Sequence, residues 1–129
     1  MSNFPAELKY TKEHEWVKIE GKLATVGITE YAAEQLGDVV LVELPGESVE
    51  FSKGDSFGVV ESVKSVSDIY APLSGKIIES NDMLPENPGI INDDCYGEGW
   101  IAKIEIDDEE ELSQLLSAED YEKFLSEEA

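Results

Sequence analysis

Positive charge is scarce in this sequence of 129 residues, which has nine basic residues against 30 aspartates and glutamates and a formal net charge of -21 at pH 7. Binding to the phosphate backbone of nucleic acids requires clustered lysines and arginines, and binding to anionic membrane surfaces requires basic segments. We therefore expect neither a nucleic acid nor a membrane as a partner. The acidity suits docking onto proteins with basic or mixed clefts, although solubility alone would also explain it.

Residues that commonly carry catalysis or bind metals are also few, with one cysteine, Cys95, and one histidine, His14. A single cysteine cannot form an internal disulfide, which is consistent with a reducing compartment. Cys95 falls in a loop-like stretch, residues 92–97, where we expect a plain thiol, half-buried or close to solvent. Because His14 has no second histidine nearby, we expect a structural or cleft-side residue rather than a metal ligand.

The sequence likewise lacks a glycine-rich phosphate loop and a Ser-His-Asp order, so we expect no catalytic residue, no metal site and no enzyme activity. No apolar run is long enough to span a membrane, and the first five residues lack the features of a signal peptide or of an organellar presequence. These absences predict a bacterial cytoplasmic protein. An organellar protein whose presequence has been removed would instead lie in the mitochondrial matrix.

The length and a hydrophobic content of 41% predict one folded domain spanning residues 1–129. Short β-prone segments follow one another closely and are broken by Gly, Pro or Asn. These segments are 16–20, 23–28, 38–44, 48–51, 56–62, 67–71, 75–80 and 96–106. Such spacing predicts a mainly β fold of antiparallel sheets, a sandwich or flattened barrel with short peripheral helices.

Signals for helices and turns fall between these segments. Thr29 has the position of an N-cap, residues 31–36 carry a helical pattern, and Gly37 ends it. Pro45-Gly46 predicts a turn, and residues 83–88 predict a turn-rich helical connection.

The C-terminal segment, residues 107–129, differs in composition from the rest. From Glu105 onward the sequence has eleven acidic residues and one basic residue, Lys123. Leucines at 112, 115 and 116 predict one short helix, and residues 118–125 predict a second with Ser117 as its cap. We expect this segment to pack its apolar stripe on the β domain and to leave its acidic face in water.

Lys64 is the most informative of the few basic residues. A β-prone run, 57–60, precedes it and another, 66–70, follows it, so the spacing predicts a hairpin with the lysine at its tip. A lysine held out in this way is a good attachment point for a prosthetic group. A lysine at a hairpin tip can also serve solubility or block pairing between sheet edges, and the spacing alone leaves both readings open.

The segment around Lys64 resembles the biotinyl/lipoyl attachment domain. Glu61-Ser62 stands before the lysine as in lipoyl domains, whereas Val63 and Ser65 stand where biotin carriers have methionines. Val63 also departs from the lipoyl domains of 2-oxoacid dehydrogenases, which usually have Asp there. The best fit is the family of glycine cleavage system H proteins, and the similarity runs from about residue 8 to residue 124. The motifs that carry it are His14-Glu15-Trp16, Val26-Gly27-Ile28-Thr29, Leu36-Gly37-Asp38-Val39-Val40, Glu43-Leu44-Pro45, Ser67-Asp68-Ile69-Tyr70-Ala71-Pro72-Leu73-Ser74-Gly75, Asn87-Pro88-Gly89 and Gly99-Trp100.

This resemblance implies a lipoyl-domain-like (hammerhead) fold and one lipoic acid per chain, joined covalently to the ε-amino group of Lys64. It implies a non-catalytic, monomeric shuttle that carries an aminomethyl group from the pyridoxal-phosphate glycine decarboxylase (P protein) to the tetrahydrofolate-dependent aminomethyltransferase (T protein). Dihydrolipoamide dehydrogenase (L protein) then reoxidises the arm, and a lipoylating enzyme is a further partner. Two alternatives stay open: a lipoyl or octanoyl relay for other complexes, and an unmodified β-sandwich interaction module.

The resemblance also implies roles for five residues around Lys64. Glu15, Tyr31 and Asp68 match positions that are associated in the family with a cleft beside the lipoyl arm. Many members have histidine where this chain has Tyr31, and a phenol can donate a hydrogen bond but does not become charged near neutrality. Glu61 and Ser62 are candidates for recognition by the lipoylating enzyme.

Overall fold

Two antiparallel sheets form the framework of the computed structural model, which describes residues 4–44, 46 and 48–128. Within these residues a six-stranded sheet has the order β1-β2-β3-β9-β8-β5, and a three-stranded sheet has the order β4-β6-β7. The strands are β1 Lys9–Tyr10, β2 Glu15–Glu20, β3 Leu23–Ile28, β4 Val39–Glu43, β5 Glu50–Phe51, β6 Ser56–Ser62, β7 Val66–Tyr70, β8 Gly75–Ser80 and β9 Ala102–Ile106. The prediction of a mainly β, antiparallel fold with short helices is confirmed.

Helices are short and lie at the periphery of the sheets. They are α1 Glu30–Leu36, α2 Ile90–Asp94, a 3₁₀ helix Glu109–Gln114, and α3 Ala118–Glu128. Among the described residues, none of these helices combines the length and the apolar character needed to cross a membrane.

The main core lies between the two sheets and is made of aliphatic side chains. Strands of both sheets contribute residues that are almost completely removed from water, including Val26, Val60, Ile69, Ile77 and Ile104. Burying a side chain of this size contributes about 1.5–3 kcal/mol each. This burial holds the three-stranded sheet, and with it the hairpin of β6 and β7, against the larger sheet.

A second, aromatic cluster lies at one end of the large sheet. The rings of Tyr10 and Tyr121 are stacked with centroids 5.0 Å apart, and Phe4 meets both edge-on. Trp16 is buried in the same cluster, and its indole Nε1 donates a hydrogen bond of 2.8 Å to the Cys95 carbonyl. The tryptophan therefore packs in the core.

Helix α1 begins and ends as the sequence predicts. The Thr29 side chain accepts a hydrogen bond from the Ala32 amide at 3.2 Å, which satisfies one of the free N–H groups of the first turn. Gly37 ends the helix with φ 79° and ψ -151°, a conformation that residues with a Cβ avoid. The helix is thus fixed at both ends before the chain enters β4.

The structure corrects the prediction for residues 83–106. Residues 83–88 form turns, and the helix, α2, comes later, at Ile90–Asp94. The predicted strand 96–106 begins only at Ala102, because residues 96–99 turn back on α2, where the Gly99 amide donates to the Asp94 carbonyl at 2.9 Å. Of the stretch predicted as loop-like, residues 92–94 belong to α2 and residues 95–97 form a turn, and the Cys95 thiol is buried.

Smaller corrections concern the strand and turn that follow β4. The strand predicted at 48–51 is reduced to β5, because Ser48 has a positive φ of 69° and belongs to a turn. The predicted Pro45-Gly46 turn includes Pro45, which lies outside the described residues.

The C-terminal segment contains the two predicted helical stretches in altered form. The first is a 3₁₀ helix that stops at Gln114, so Leu115 is extended and Leu116 pairs with Tyr10 through two backbone hydrogen bonds. The prediction that Leu115 and Leu116 belong to a helix is wrong, because Leu115 is extended and Leu116 pairs with Tyr10 of β1. Ser117 caps α3 as predicted, and its hydroxyl accepts from the Asp120 amide at 3.1 Å.

Candidate functional site

Lys64 lies at the tip of the hairpin formed by β6 and β7, as the sequence predicts. The Ser62 amide donates to the Ser65 carbonyl at 2.8 Å, which closes a four-residue turn. The buried Ser62 hydroxyl accepts from the amides of Lys64 and Ser65, at 3.3 and 3.1 Å. One serine side chain therefore holds the backbone of the lysine from inside the turn.

The tip is also tied to the end of α1. The Val63 amide donates to the Asp38 carbonyl at 3.2 Å, and the Lys64 side chain passes directly over Gly37. A Cβ placed at Gly37 would lie 3.3 Å from Lys64 Cε, so the absence of a side chain there leaves room for the lysine. Lys64 itself is exposed, and among the described residues the one ion pair joins Lys103 to Glu79. The ε-amino group is accordingly accessible to an enzyme.

A cleft of about 320 Å³ opens beside the tip, between β7, α1 and the corner that precedes β2. Ser65 of the turn lines it, so the cleft starts one residue from Lys64. Its apolar lining comes from both sheets and α1, and its polar lining includes three carboxylates, an imidazole and a phenol. The apolar residues are Ile28, Ala32, Leu36, Val60, Val66 and Ile69, and these polar residues are Glu13, His14, Glu15, Tyr31 and Asp68.

Glu15, Tyr31 and Asp68 line this one cleft, although they are far apart in the sequence. Asp68 is exposed on β7, and its Oδ1 accepts from the Ser56 hydroxyl at 3.3 Å. Tyr31 is half-buried in the first turn of α1, with its ring 4.9 Å from the His14 ring. His14 thus lies beside the cleft, as one of the two readings of the sequence allowed.

Glu15 is a buried carboxyl at the bottom of the cleft, with only 1% of its surface exposed. The Thr11 hydroxyl donates to Oε1 at 2.8 Å, and the Tyr70 amide donates to Oε2 at 3.0 Å. Burial raises the pKa of Glu15 to about 7, and these two hydrogen bonds oppose the rise. The group can therefore hold or release a proton near neutral pH.

Glu61 lies outside the cleft. It is half-buried on the central strand β6, between Leu41 of β4 and Val66 of β7. Its neighbour Ser62 is buried in the turn, so of the two only Glu61 presents part of its side chain to the surface next to Lys64. A role for either residue in recognition by a lipoylating enzyme stays a prediction.

Sequence reasoning missed the residues that support the cleft from behind. Thr11 holds Glu15, and its hydroxyl also accepts from the amides of Glu13 and Glu15, both at 3.2 Å. Asn92 of α2 donates to the Gly37 carbonyl at 2.8 Å and accepts from the Val39 amide at 2.9 Å, which fixes the backbone beneath Lys64. Threonine hydroxyls favour turns by bonding the backbone two residues further on, and this tendency is the local signal for Thr11. For Asn92 there is no local signal, since both its partners are 53 or more residues away.

The lining of the cleft has the features of a binding site. Burial raises the pKa of the Cys95 thiol to about 12, so this cysteine is not a nucleophile near neutral pH. Among the described residues no group of three or more His, Cys, Asp or Glu side chains could hold a metal ion. The cleft offers an apolar lining with carboxylates at one side, which suits a hydrocarbon group that ends in a cation or a hydrogen-bond donor.

Comparison with known proteins identifies the family. The family model described as glycine cleavage H-protein matches residues 8–128. A glycine cleavage system H protein of Carboxydothermus hydrogenoformans is 56% identical over 128 residues, which cover 99% of this chain and 98% of the relative. One from Staphylococcus saprophyticus is 54% identical over 123 residues, covering 95% and 98%. A crystal structure of a glycine cleavage system H protein from Mycobacterium marinum superposes with a TM-score of 0.85 at 38% identity and covers 95% of this chain and 99% of that one. With a lysine on a hairpin tip beside a cleft, and with this similarity over almost its whole length, the chain belongs to the glycine cleavage H-protein family, whose members are lipoyl carriers in glycine cleavage.

Proposed function

We propose that this protein carries one lipoyl group as an amide on Lys64 and that it is the mobile, non-catalytic component of a glycine cleavage system. In this role the arm takes an aminomethyl group from the pyridoxal-phosphate glycine decarboxylase and delivers it to the tetrahydrofolate-dependent aminomethyltransferase. Dihydrolipoamide dehydrogenase restores the disulfide of the arm. The observation that carries the proposal is the exposed Lys64 on a braced turn, one residue from the cleft that contains Glu15.

The residues around the tip fit a lipoyl group. An amide on Lys64 removes the positive charge and extends a hydrocarbon chain from the tip, and the aliphatic side chains of the cleft offer that chain an apolar surface. When bound, the lipoyl group supplies a pair of sulfurs that accept the cargo and the electrons. The protein contributes the position of the attachment point and a partly closed space.

The cleft carboxylates fit the cargo of this carrier. An amino group bound through carbon to sulfur is lost readily to water, so a carrier gains from a cleft that limits access of water. Asp68 and Glu15 offer negative charge or hydrogen-bond acceptors to an amino group, and Tyr31 offers a hydroxyl. We assign these three residues to holding the loaded end of the arm.

We further infer that the protein acts as a cytoplasmic monomer. Residues 1–129 work as one domain, with residues 107–129 packed on the β domain. Glu61 and Ser62 help the lipoylating enzyme to recognise the hairpin tip. Its net charge of -21 favours docking onto enzymes with basic surfaces near their active sites. A tethered arm then reacts at a high local concentration in each docked partner.

The test is exchange of the glycine carboxyl group with bicarbonate, reconstituted with a glycine decarboxylase and the lipoylated protein. We expect exchange that depends on the protein, and its loss in Lys64→Arg, which keeps the charge but cannot be lipoylated. Lys76→Arg is the control, because Lys76 is also an exposed lysine, on strand β8, and this variant should retain exchange. A lipoylated protein that supports no exchange would instead indicate a relay for other complexes, and activity in Lys64→Arg would indicate an unmodified interaction module.

A further inference from the structure

The C-terminal helix α3 contacts His14 of the cleft through Phe124 and Tyr121, neither of which lines the cleft itself. Tyr121 is fully buried, and its hydroxyl lies 2.8 Å from His14 Nδ1 and 2.9 Å from Thr29 Oγ1. Both distances are those of hydrogen bonds, and a phenol can donate one bond while accepting another. The hydroxyl therefore joins three separate parts of the chain: the corner before β2, the start of α1, and α3.

His14 has a backbone conformation that needs such support. Its φ of 70° lies in the left-handed region, which costs a non-glycine residue about 1 kcal/mol or more. Its backbone is held by the Thr29 amide, which donates to the His14 carbonyl at 3.0 Å, and by its own amide, which donates to the Thr11 carbonyl at 3.1 Å. The contact with Tyr121 fixes the direction of the ring as well.

Both partners of the Tyr121 hydroxyl determine a wall of the cleft. The His14 ring lines the cleft and lies 4.9 Å from the Tyr31 ring. Thr29 is the N-cap of α1, the helix that provides Tyr31, Ala32 and Leu36 to the same wall. A shift of the Tyr121 hydroxyl would therefore be passed to the imidazole and to the first turn of α1.

We propose that Tyr121 is a positioning residue for the arm cleft, because its hydroxyl sets the His14 ring and the start of α1 at the distance from β7 that the loaded arm requires. This inference rests on the proposed function, since it assigns a purpose to the cleft. It also gives the C-terminal helix a role: α3 braces the cleft from behind.

The chain offers a closely matched control for this role. Tyr10 is also fully buried, its ring stacks on that of Tyr121, and its hydroxyl donates to the Pro5 carbonyl at 2.6 Å, away from the cleft. Tyr121→Phe and Tyr10→Phe each remove one buried hydroxyl from the same aromatic cluster. Only the first removes a contact with His14 and Thr29, so a comparison separates positioning from general loss of stability.

The first experiment uses the unlipoylated protein and two measurements by NMR. In Tyr121→Phe we expect a changed imidazole signal of His14 and about fivefold faster hydrogen exchange at the Ala32 and Ala33 amides, which bond to Thr29. In Tyr10→Phe the imidazole signal should be unchanged, and exchange at these amides should not exceed what its loss of global stability explains. The same imidazole signal and the same exchange in both variants would overturn the proposal.

The second experiment measures how fast the loaded protein loses its aminomethyl group to water as formaldehyde and ammonia, with the thiol regained. We expect Tyr121→Phe to lose it about fivefold faster than the wild-type protein and Tyr10→Phe to lose it at the wild-type rate. Equal rates for both variants would contradict the proposal but leave the carrier function standing. A wild-type protein that loses the group as fast as a small lipoamide conjugate would instead contradict the sheltering cleft itself.

A further variant covers the case in which Tyr121→Phe does not fold. His14→Asn keeps a residue that tolerates the left-handed conformation, but its side chain is too short to reach the Tyr121 hydroxyl. We expect the same faster loss of the cargo from His14→Asn, and a wild-type rate in this variant would count against the proposal.

Discussion

At the scale of single residues, Lys64 differs from an ordinary surface lysine because a few hydrogen bonds fix the backbone around it. The Ser62 hydroxyl accepts from two amides of the turn, and the Val63 amide is bonded to the Asp38 carbonyl, so the backbone of the tip has little freedom. A modifying enzyme that must find one lysine among nine basic residues benefits from a lysine in one fixed position. In the proposed carrier, the sulfurs of the lipoyl group can then be mobile while the backbone of Lys64 stays fixed.

Glu15 gives rise to a pH dependence that can be attributed to one residue. Burial raises its pKa to about 7 from an ordinary value of 4.5, so the folded protein favours the protonated form. The contribution of this group to stability is fully present below about pH 4.5 and is lost as the pH rises through about 7. The loss amounts to about 3 kcal/mol. Glu15→Gln, which resembles the protonated form, should not show it.

Urea denaturation of the wild-type protein and of Glu15→Gln between pH 4.5 and pH 7.5 provides the test. Titration of the other carboxylates affects both proteins equally and cancels in the difference between their free energies of unfolding. We expect Glu15→Gln to become more stable relative to the wild-type protein as the pH rises. Glu20→Gln, at an exposed carboxyl on the same strand, is the control and should leave the wild-type slope unchanged. A constant difference between wild type and Glu15→Gln would show that Glu15 titrates normally.

At the scale of single elements, the site is built where the end of α1, the start of β4 and the β6–β7 hairpin meet. Gly37 ends α1 with a positive φ and also lies beneath the Lys64 side chain. Asn92 of α2 bonds to the backbone on both sides of Asp38. The junction is therefore held from the helix side and from the hairpin side.

Gly37→Ala should affect both the stability of the protein and its modification. The backbone conformation disfavours a Cβ by about 1–2 kcal/mol, and the new methyl group would also press on Lys64 Cε. We expect a lower free energy of unfolding in urea and a lower initial rate of lipoylation. Gly21→Ala is the matched control: Gly21 has a φ of 63° with nothing within 4 Å of a new Cβ. It should lose stability but keep the wild-type rate of lipoylation, and equal rates for both variants would refute a role for Gly37 at the tip.

The elements that the sequence predicts well are those whose signals are local. The hairpin around Lys64 is confirmed, and its signal is a strand-turn-strand pattern of neighbouring residues. Helix α1 is also confirmed, and its signals are an N-cap residue at one end and a glycine at the other. Helix α2 was missed because Asn92, Asp93 and Asp94 are weak helix formers, and their helix is stabilised by distant contacts such as those of Asn92. Strand β1, of two residues, is too short for any pattern.

At the scale of the whole molecule, the cleft is a product of topology. Glu15 is the first residue of β2 in the large sheet and Asp68 lies in the small one, so the two carboxyls share a cleft only once both sheets have packed. The contact between His14 and Tyr121 joins residues 107 positions apart. The resemblance to a family implied that Glu15, Tyr31 and Asp68 belong together, but neither composition nor periodicity could have placed Tyr121 behind them.

The net charge of -21 predicts a measurable effect of salt on the folded state. One ion pair within 4.0 Å is present among the described residues, so most carboxylates repel one another without compensation. Raising the concentration of NaCl from about 0.02 to about 0.2 M shortens the Debye length to below about 10 Å. We expect the free energy of unfolding to rise by on the order of 1 kcal/mol, or about 4 °C in Tm.

The same salt range should weaken docking, because screening that relieves repulsion within the protein also reduces attraction to basic partner surfaces. Calorimetry measures the first effect, and the KM of the carrier in the exchange reaction measures the second. A Tm that does not change with NaCl would contradict the claim that the carboxylates of the folded protein repel one another without compensation.

The central claim is that Lys64 carries the lipoyl group, and the most direct test is the mass of the protein purified from its native host. Intact mass followed by peptide mapping across residues 54–76 should find one lipoyl amide per chain, located on Lys64 and not on Lys76. A protein with Lys64 wholly unmodified, from cells in which other lipoyl proteins are modified, would contradict the account.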